Sequence, residues 1–165
     1  MSTTTKPRGF QLGKFYKRSL YLSFVALFAS GVMWLIAYYL LAETTDYGVI
    51  PSQYEMLSLQ VHGLAAPLFL LVMGAIFPLH IARAYKSGIN LFTGMTLLVA
   101  FGVLSASGYL LYYCGDESLR NLASIAHSSL GLLAAPILVF HIFRGRKLMR
   151  EVGESGTAGM PKEAP

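Results

Sequence analysis

Cysteine, charge, histidine and tryptophan are all scarce in this chain of 165 residues. The single Cys114 excludes an internal disulfide and a CxxC redox pair. Asp and Glu number 8 together, and charged residues make up 13% of the chain, against about a quarter in an average soluble domain. A solvated domain of ordinary composition is thereby excluded. The 4 histidines fall in two apolar stretches and nowhere else.

Apolar sequence takes the place of what is missing: 55% of the residues are hydrophobic and the mean hydropathy is +0.54. Four runs, residues 19–42, 56–82, 89–113 and 121–143, reach membrane-spanning length without a single Asp, Glu, Lys or Arg. They predict an all-α membrane protein, a four-transmembrane-helix bundle with no room for a separate soluble domain. The first run is too long for a signal-peptide core and has no small-residue cleavage pattern behind it, so it reads as a retained helix.

The flanking charges set the expected orientation. Lys6, Arg8, Lys14, Lys17, Arg18, Arg83, Lys86, Arg144, Arg146, Lys147, Arg150 and Lys162 all fall on one side, twelve of the 13 basic residues. The opposite loops carry Glu43, Asp46, Glu55, Asp116 and Glu117 against Arg120 alone. Basic residues stay cytoplasmic, so both termini are predicted there. The net charge of +5 follows from this asymmetry and from lipid anchoring, and gives no sign of nucleic-acid binding.

In order, residues 1–18 form a basic cytoplasmic or interfacial segment, in which Phe10, Leu12, Phe15 and Tyr16 predict a short interfacial helix. Residues 19–147 form the membrane domain. Trp34, Tyr38 and Tyr39 approach its outer interface, where amphipathic rings are favoured. Residues 148–165, rich in Gly, Glu, Pro and Ser, are predicted to be a disordered cytoplasmic tail.

Within the fourth span His127 and His141 are fourteen residues apart. Fourteen steps of roughly 100° return to within about 40° of the same face and cover about 21 Å, which reaches towards both edges of a hydrocarbon core about 30 Å thick. His62 and His80, eighteen apart in the second span, repeat the arrangement over five whole turns. Both spans run from outside to inside, so His62 shares a depth with His127 and His80 with His141. An ionisable group inside a span is costly unless bonded or ligated. Four imidazoles at two matched depths ask for two ligands, and bis-imidazole ligation of two haems meets that demand. For any one histidine the alternative is a ring bonded to serine or a backbone carbonyl; for His80 and His141, near the basic boundary, it is contact with headgroups and water.

The two halves repeat one another. His80 to Lys86 reappears as His141 to Lys147, Ala65-Ala66-Pro67 as Ala134-Ala135-Pro136, and Ser30-Gly31 as Ser107-Gly108. Two helical hairpins related by duplication are expected. A porphyrin between helices needs close backbone approach, which glycine permits. Gly94 and Gly108 stand at the two histidine levels on the third span, and Gly31 at the outer level on the first. Ordinary small-residue packing is the alternative for them, and it is the assigned role of Gly63, Gly74, Gly102 and Gly131. The Tyr and Phe stripes read as interface belt and core.

On these residues the chain resembles the bacterial di-haem b-type cytochromes, the four-helix membrane subunits that serve hydrogenases, formate dehydrogenases and quinol-linked reductases. It is most similar to a small, poorly characterised branch with SG-x-x-WL in the first span, here Ser30 to Leu35, and SGYLLYY-x-GDE after the third, here Ser107 to Glu117. The resemblance covers about Lys17 to Lys147. It implies a bacterial inner-membrane location, two b-type haems on His62, His80, His127 and His141, and electron transfer to a separate redox protein or catalytic subunit. The CxxCH motif of covalent haem is absent. The second span departs from the family in carrying about one extra turn between its histidines, which Pro67 and Pro78 are placed to absorb.

Haem propionates would find Arg18, Arg83 and Arg144 on the inner side, and Arg120, Ser128 and the tyrosines on the outer side; the arginines serve equally as positive-inside anchors. Asp116 and Glu117 are candidates to accept quinol protons with Tyr112 or Tyr113 positioning the quinol, or else belong to a solvated loop. Two competing functions remain at this level. One is a haem-free bundle binding copper or zinc, although no Cys, Asp or Glu accompanies the histidines. The other is a membrane anchor for a partner enzyme.

Overall fold

The structure is a computed structural model and describes residues 13–158, apart from the side chains of Leu79, Ser87 and residues 152–158. Of the segments expected above, residues 1–12, with Phe10 and Leu12, and residues 159–165 lie outside the described residues.

The uninterrupted apolar runs become helices because a hydrocarbon environment leaves the backbone no partner but itself. They are α1 (Lys14–Leu40), α2 (Gln53–Ile76), α4 (Leu91–Tyr113) and α5 (Glu117–Ala158), with the short α3 (Ala82–Ser87) between α2 and α4. The four longer helices are each long and apolar enough to cross a membrane. Phe15 and Tyr16 open α1 itself, with ring centres 5.9 Å apart. Ser52 caps α2 by accepting the Tyr54 N–H at 3.3 Å, and Glu55 lies in its first turn, where the helix dipole favours an anion.

Three local features differ from the sequence expectation. The loop between α1 and α2 folds into an antiparallel hairpin, β1 (Glu43–Thr45) with β2 (Gly48–Ile50), in which Glu43 faces Ile50 and Thr45 faces Gly48. Gly48 takes a φ of 123°, open to glycine alone at low cost, and its carbonyl accepts Thr45 Oγ1–H at 2.8 Å. This hairpin marks the end called outer below; the Gly88–Asn90 turn marks the inner end.

The second difference lies below Ile76, where the helix widens into a π turn over Phe77–Ile81. Pro78 supplies no N–H and crowds the carbonyl four residues back, so the α ladder cannot continue through it. The Ala82 N–H instead reaches Phe77 O, five residues back. Such wide turns re-aim side chains within a helix and recur at functional sites. Here the turn carries His80.

The third is a correction to the tail: residues 148–158, expected to be disordered, continue α5. Leu148, Met149, Arg150 and Glu151 are all good helix formers, and Lys147 pairs with Glu151 one turn on at 4.0 Å, so a helix already nucleated in the membrane extends at little cost.

Packing divides the bundle in two. α1 lies along α2 and α4 lies along α5, while the two hairpins approach one another most closely where α1 meets α5. Buried apolar residues are few and mostly small, among them Ala37, Ala65, Ala100, Ala123 and Ala134. No large side chain among the described residues is fully buried. At mid-height Phe69, 3% exposed, meets Phe24 and Phe101 with ring centres 6.1 and 5.0 Å away, and Phe24 and Phe101 are 6.2 Å apart. Phe101 stands seven residues from both Gly94 and Gly108, so this three-ring layer separates the two histidine levels.

Candidate functional site

The four histidines meet in two pairs. His62 on α2 faces His127 on α5 with ring centres 6.1 Å apart and planes at 75°. His80 in the π turn faces His141 on α5 at 6.5 Å and 85°. Two imidazoles bound to one metal from opposite sides, with nitrogen–metal distances of about 2.0–2.1 Å, have centres roughly 6.3 Å apart. Both pairs match that separation, which also falls within the range of edge-to-face ring packing. What distinguishes the two is the condition of each Nδ1.

At the outer level each Nδ1 is held by a serine. Ser30 Oγ donates its proton to the Ala26 carbonyl at 2.7 Å, with the Leu27 carbonyl at 3.0 Å. With its proton so directed, the hydroxyl oxygen is an acceptor, and His62 Nδ1 lies 3.2 Å from it and 3.0 Å from Leu27 O. Ser107 repeats the arrangement: it donates to Val103 O at 2.8 Å and stands 2.9 Å from His127 Nδ1. Acceptors around Nδ1 favour the ring proton there, which leaves the Nε2 lone pair as the nitrogen open to a ligand.

At the inner level His141 is held differently, because the Asn90 Nδ2 amide, a donor, stands 3.1 Å from its Nδ1 beside the Thr93 hydroxyl. Thr93 Oγ1, on a residue 6% exposed, donates to Asn90 Oδ1 at 2.7 Å and stands 2.8 Å from His141 Nδ1. Asn90 also donates from Nδ2 to the His141 carbonyl at 2.9 Å. Its backbone is left-handed, at φ 55°, a conformation that Asn tolerates better than most residues. Gly145 clears the way, because a Cβ there would stand 3.2 Å from Asn90 Nδ2. His80 is exposed, and among the described residues no hydroxyl bonds its ring.

The three glycines singled out by depth all abut a histidine. A Cβ at Gly31 would lie 3.2 Å from His62 Cε1, one at Gly108 3.3 Å from His127 Cε1, and one at Gly94 3.4 Å from His141 Cε1. Each follows the hydroxyl residue that bonds the same ring, Ser30, Ser107 or Thr93. Sequence reasoning placed the glycines, noted Ser30 and Ser107 as members of the repeat without joining them to a ring, and passed over Thr93 and Asn90. The signal was there: within the spans, a hydroxyl–glycine dipeptide occurs at these three places. By contrast, Gly63, Gly74 and Gly102, assigned above to helix packing, would project a Cβ into open space, and Gly131 comes no nearer than 3.9 Å to Leu104.

The remaining candidates are not drawn together. Arg18, Arg83 and Arg144 are exposed at the inner end, and Arg144 lines a cleft of about 420 Å³ with Gly88, Asn90 and Leu148. Ser128 is half-buried beside His127 in the chain. Tyr112 and Tyr113 are exposed, their ring centres 5.2 Å apart. Asp116 caps α5, its Oδ1 accepting the Leu119 N–H at 2.7 Å, and Glu117 follows in the first turn, exposed.

Trp34, read above only as an interface residue, is distinctive in another way. Its Nε1–H is buried and has no hydrogen-bond partner, alone in this among the described side chains. An unsatisfied buried donor costs about 1–3 kcal/mol.

No family model, curated protein or solved structure matches this chain. The geometry of the site therefore carries the functional argument.

Proposed function

We propose that the chain is a transmembrane electron carrier that holds two b-type haems, one between His62 and His127 and one between His80 and His141. The observation that carries this reading is the outer pair: two imidazoles at 6.1 Å, each with Nδ1 held by a serine and Cε1 set against a glycine. A buried imidazole needs a partner in either case, and what favours a shared ligand is that both rings spend Nδ1 on a serine while facing one another at 6.1 Å. The glycines fit the same purpose, since a side chain at any of the three would crowd the ligating ring. The resemblance to di-haem cytochromes b agrees with this reading. So does the correspondence of Ser30-Gly31 facing His62 with Ser107-Gly108 facing His127, as expected of duplicated hairpins.

Haem, when bound, supplies one-electron iron chemistry that the protein tunes through axial ligands, their hydrogen bonds and burial. The work of the chain is positional. His62 and His127 bind and orient; Ser30 and Ser107 fix the tautomer and raise the basicity of the ligating nitrogens. Phe24, Phe69 and Phe101 form an apolar layer between the levels. We place the protein in a bacterial inner membrane with both termini cytoplasmic, on the strength of its basic flanks. Its electrons would pass between a quinol, oxidised at the outer end near Asp116, Glu117, Tyr112 and Tyr113, and a separate redox protein. A copper or zinc site is disfavoured, because no group of three His, Cys, Asp or Glu converges among the described residues and such ions need three or four ligands.

The test is the optical spectrum of protein purified from haem-replete cells. Dithionite should bring up the Soret and alpha bands of low-spin b-type haem, and a pyridine haemochrome assay should count about two haems per chain. A colourless preparation would end the cytochrome reading.

A further inference from the structure

Among the described residues one buried side-chain donor, Trp34 Nε1–H, has no acceptor. Trp34 follows Ser30 by four residues and Gly31 by three, so it rises from the face of α1 that carries the His62 contacts, one turn nearer the outer end. The Cα–Cβ bond of a helical residue tilts towards the helix N-terminus, and long side chains fold back the same way. The Cα–Cβ bond of Trp34 thus points towards the turn that holds Ser30 and Gly31. Tyr38 lies against it at 5.1 Å with planes only 20° apart. The ring is held in place while its N–H is kept from water.

A second observation concerns charge. Twelve of the 13 basic residues belong to the inner end or the termini, and the outer loops hold Arg120 alone. An anion at the outer level must therefore be met by dipoles as much as by cations. We infer that the Trp34 Nε1–H is the hydrogen-bond donor to a propionate carboxylate of the outer haem, an assignment that rests on the haem-binding reading above. Nothing equivalent is required at the inner level, where Arg18, Arg83 and Arg144 are at hand. Trp34 is here a positioning residue: it anchors the porphyrin edge and offsets part of its negative charge.

Trp34 is the only tryptophan in the chain, so its spectroscopy is unambiguous. The first measurement is the indole N–H-sensitive band in ultraviolet resonance Raman spectra of the wild type and of His127→Ala, which lacks the outer haem. The band should report a hydrogen-bonded N–H in the wild type and a free one in the variant. The second is a redox titration of Trp34→Phe, which keeps a ring against Tyr38 and deletes the donor. With propionate charge less offset, ferric iron gains, so the outer haem potential should fall while the inner one stays put. A free N–H in the doubly loaded wild type would overturn the assignment, as would an unmoved outer potential in Trp34→Phe, and in both cases the two-haem reading would stand. An N–H that becomes bonded only when a quinone is added would likewise overturn it. A chain that takes up no haem at all would overturn both readings together.

Discussion

The two histidine levels are built to different standards. At the outer one the arrangement is symmetrical: both histidines sit in regular α-helix, both are half-buried, both Nδ1 atoms meet a serine, and both Cε1 atoms meet a glycine. The inner level is supported on one side only. His141 has Thr93, Asn90 and Gly94, whereas His80 is exposed, sits in a π turn, and has Tyr16 and Lys17 where the correspondence of α1 with α4 would put the hydroxyl and the glycine. A site fixed from both sides restrains the rotation of both ligands. One fixed from a single side leaves the other ligand free to swing, and its cofactor easier to lose. On the two-haem reading the outer site is therefore the tighter and the inner one the looser, with the difference concentrated on His80.

The largest expected effect tests whether the inner level is a site at all. His62→Ala and His127→Ala should each remove the same haem, and His80→Ala and His141→Ala the other, every variant falling from about two haems to one by pyridine haemochrome assay. Retention of both haems in His80→Ala and His141→Ala would turn the contrast into one between a cofactor site and a structural pair.

Next in size come the glycines. Valine at Gly31 or Gly108 sets branched carbon against a ring that already lies 3.2–3.3 Å from the first added atom. Overpacking of this kind costs about 1–3 kcal/mol, so outer haem retention should weaken roughly tenfold to a hundredfold in a competition with apomyoglobin. Gly94→Val should act on the inner haem alone. Equal loss of both haems from any one of these variants would show that the levels are coupled through the bundle.

Smaller again is the effect of the hydroxyls. Ser107→Ala removes an acceptor from His127 Nδ1 and makes its Nε2 a weaker donor to ferric iron, so the outer potential should rise and haem affinity should drop about tenfold. Thr93→Val should do the same to the inner haem only. Its effect should be smaller, because Asn90 still holds the His141 backbone.

Much of this was legible in the residues. Four uncharged runs specify four helices because lipid tolerates no other open-chain solution. Depth arithmetic on a 3.6-residue period paired the histidines and set three glycines beside them. What escaped has physical causes too. The β1–β2 hairpin comprises two three-residue strands whose partner is only each other, too short for a period-2 pattern to register. The extra turn between His62 and His80 was visible as a spacing, but the π turn that carries His80 was not, because it depends on how Pro78 relieves its clash. Thr93 was hidden by its ordinariness, and so were the ring contacts of Ser30 and Ser107. A hydroxyl in an apolar helix usually bonds its own backbone, and Ser30 and Ser107 do that as well as reach a ring.

The smallest expected effect concerns Asp116, where the acidic outer loop meets the outer site. Its carboxylate accepts the Leu119 N–H at 2.7 Å and its carbonyl accepts the Arg120 N–H at 3.0 Å, which together begin α5. Asn caps a helix about as well as Asp, whereas Ala does not, at a cost of about 1 kcal/mol. Asp116→Ala should therefore melt at lower temperature, while Asp116→Asn should melt close to the wild type. The charge-free cap then separates two roles that the wild type merges. With its oxygens committed to the helix start, Asp116→Asn should leave the rate of haem reduction by an added quinol within about twofold of wild type, a change worth only about 0.4 kcal/mol of barrier. Glu117→Gln, which removes a carboxylate from the exposed first turn, should slow that reduction without altering the haem spectrum. A slow Asp116→Asn with an unchanged melting temperature would return the proton-accepting role to Asp116, and would mean that the helix cap and the quinol share one carboxylate at the better-built end of the protein.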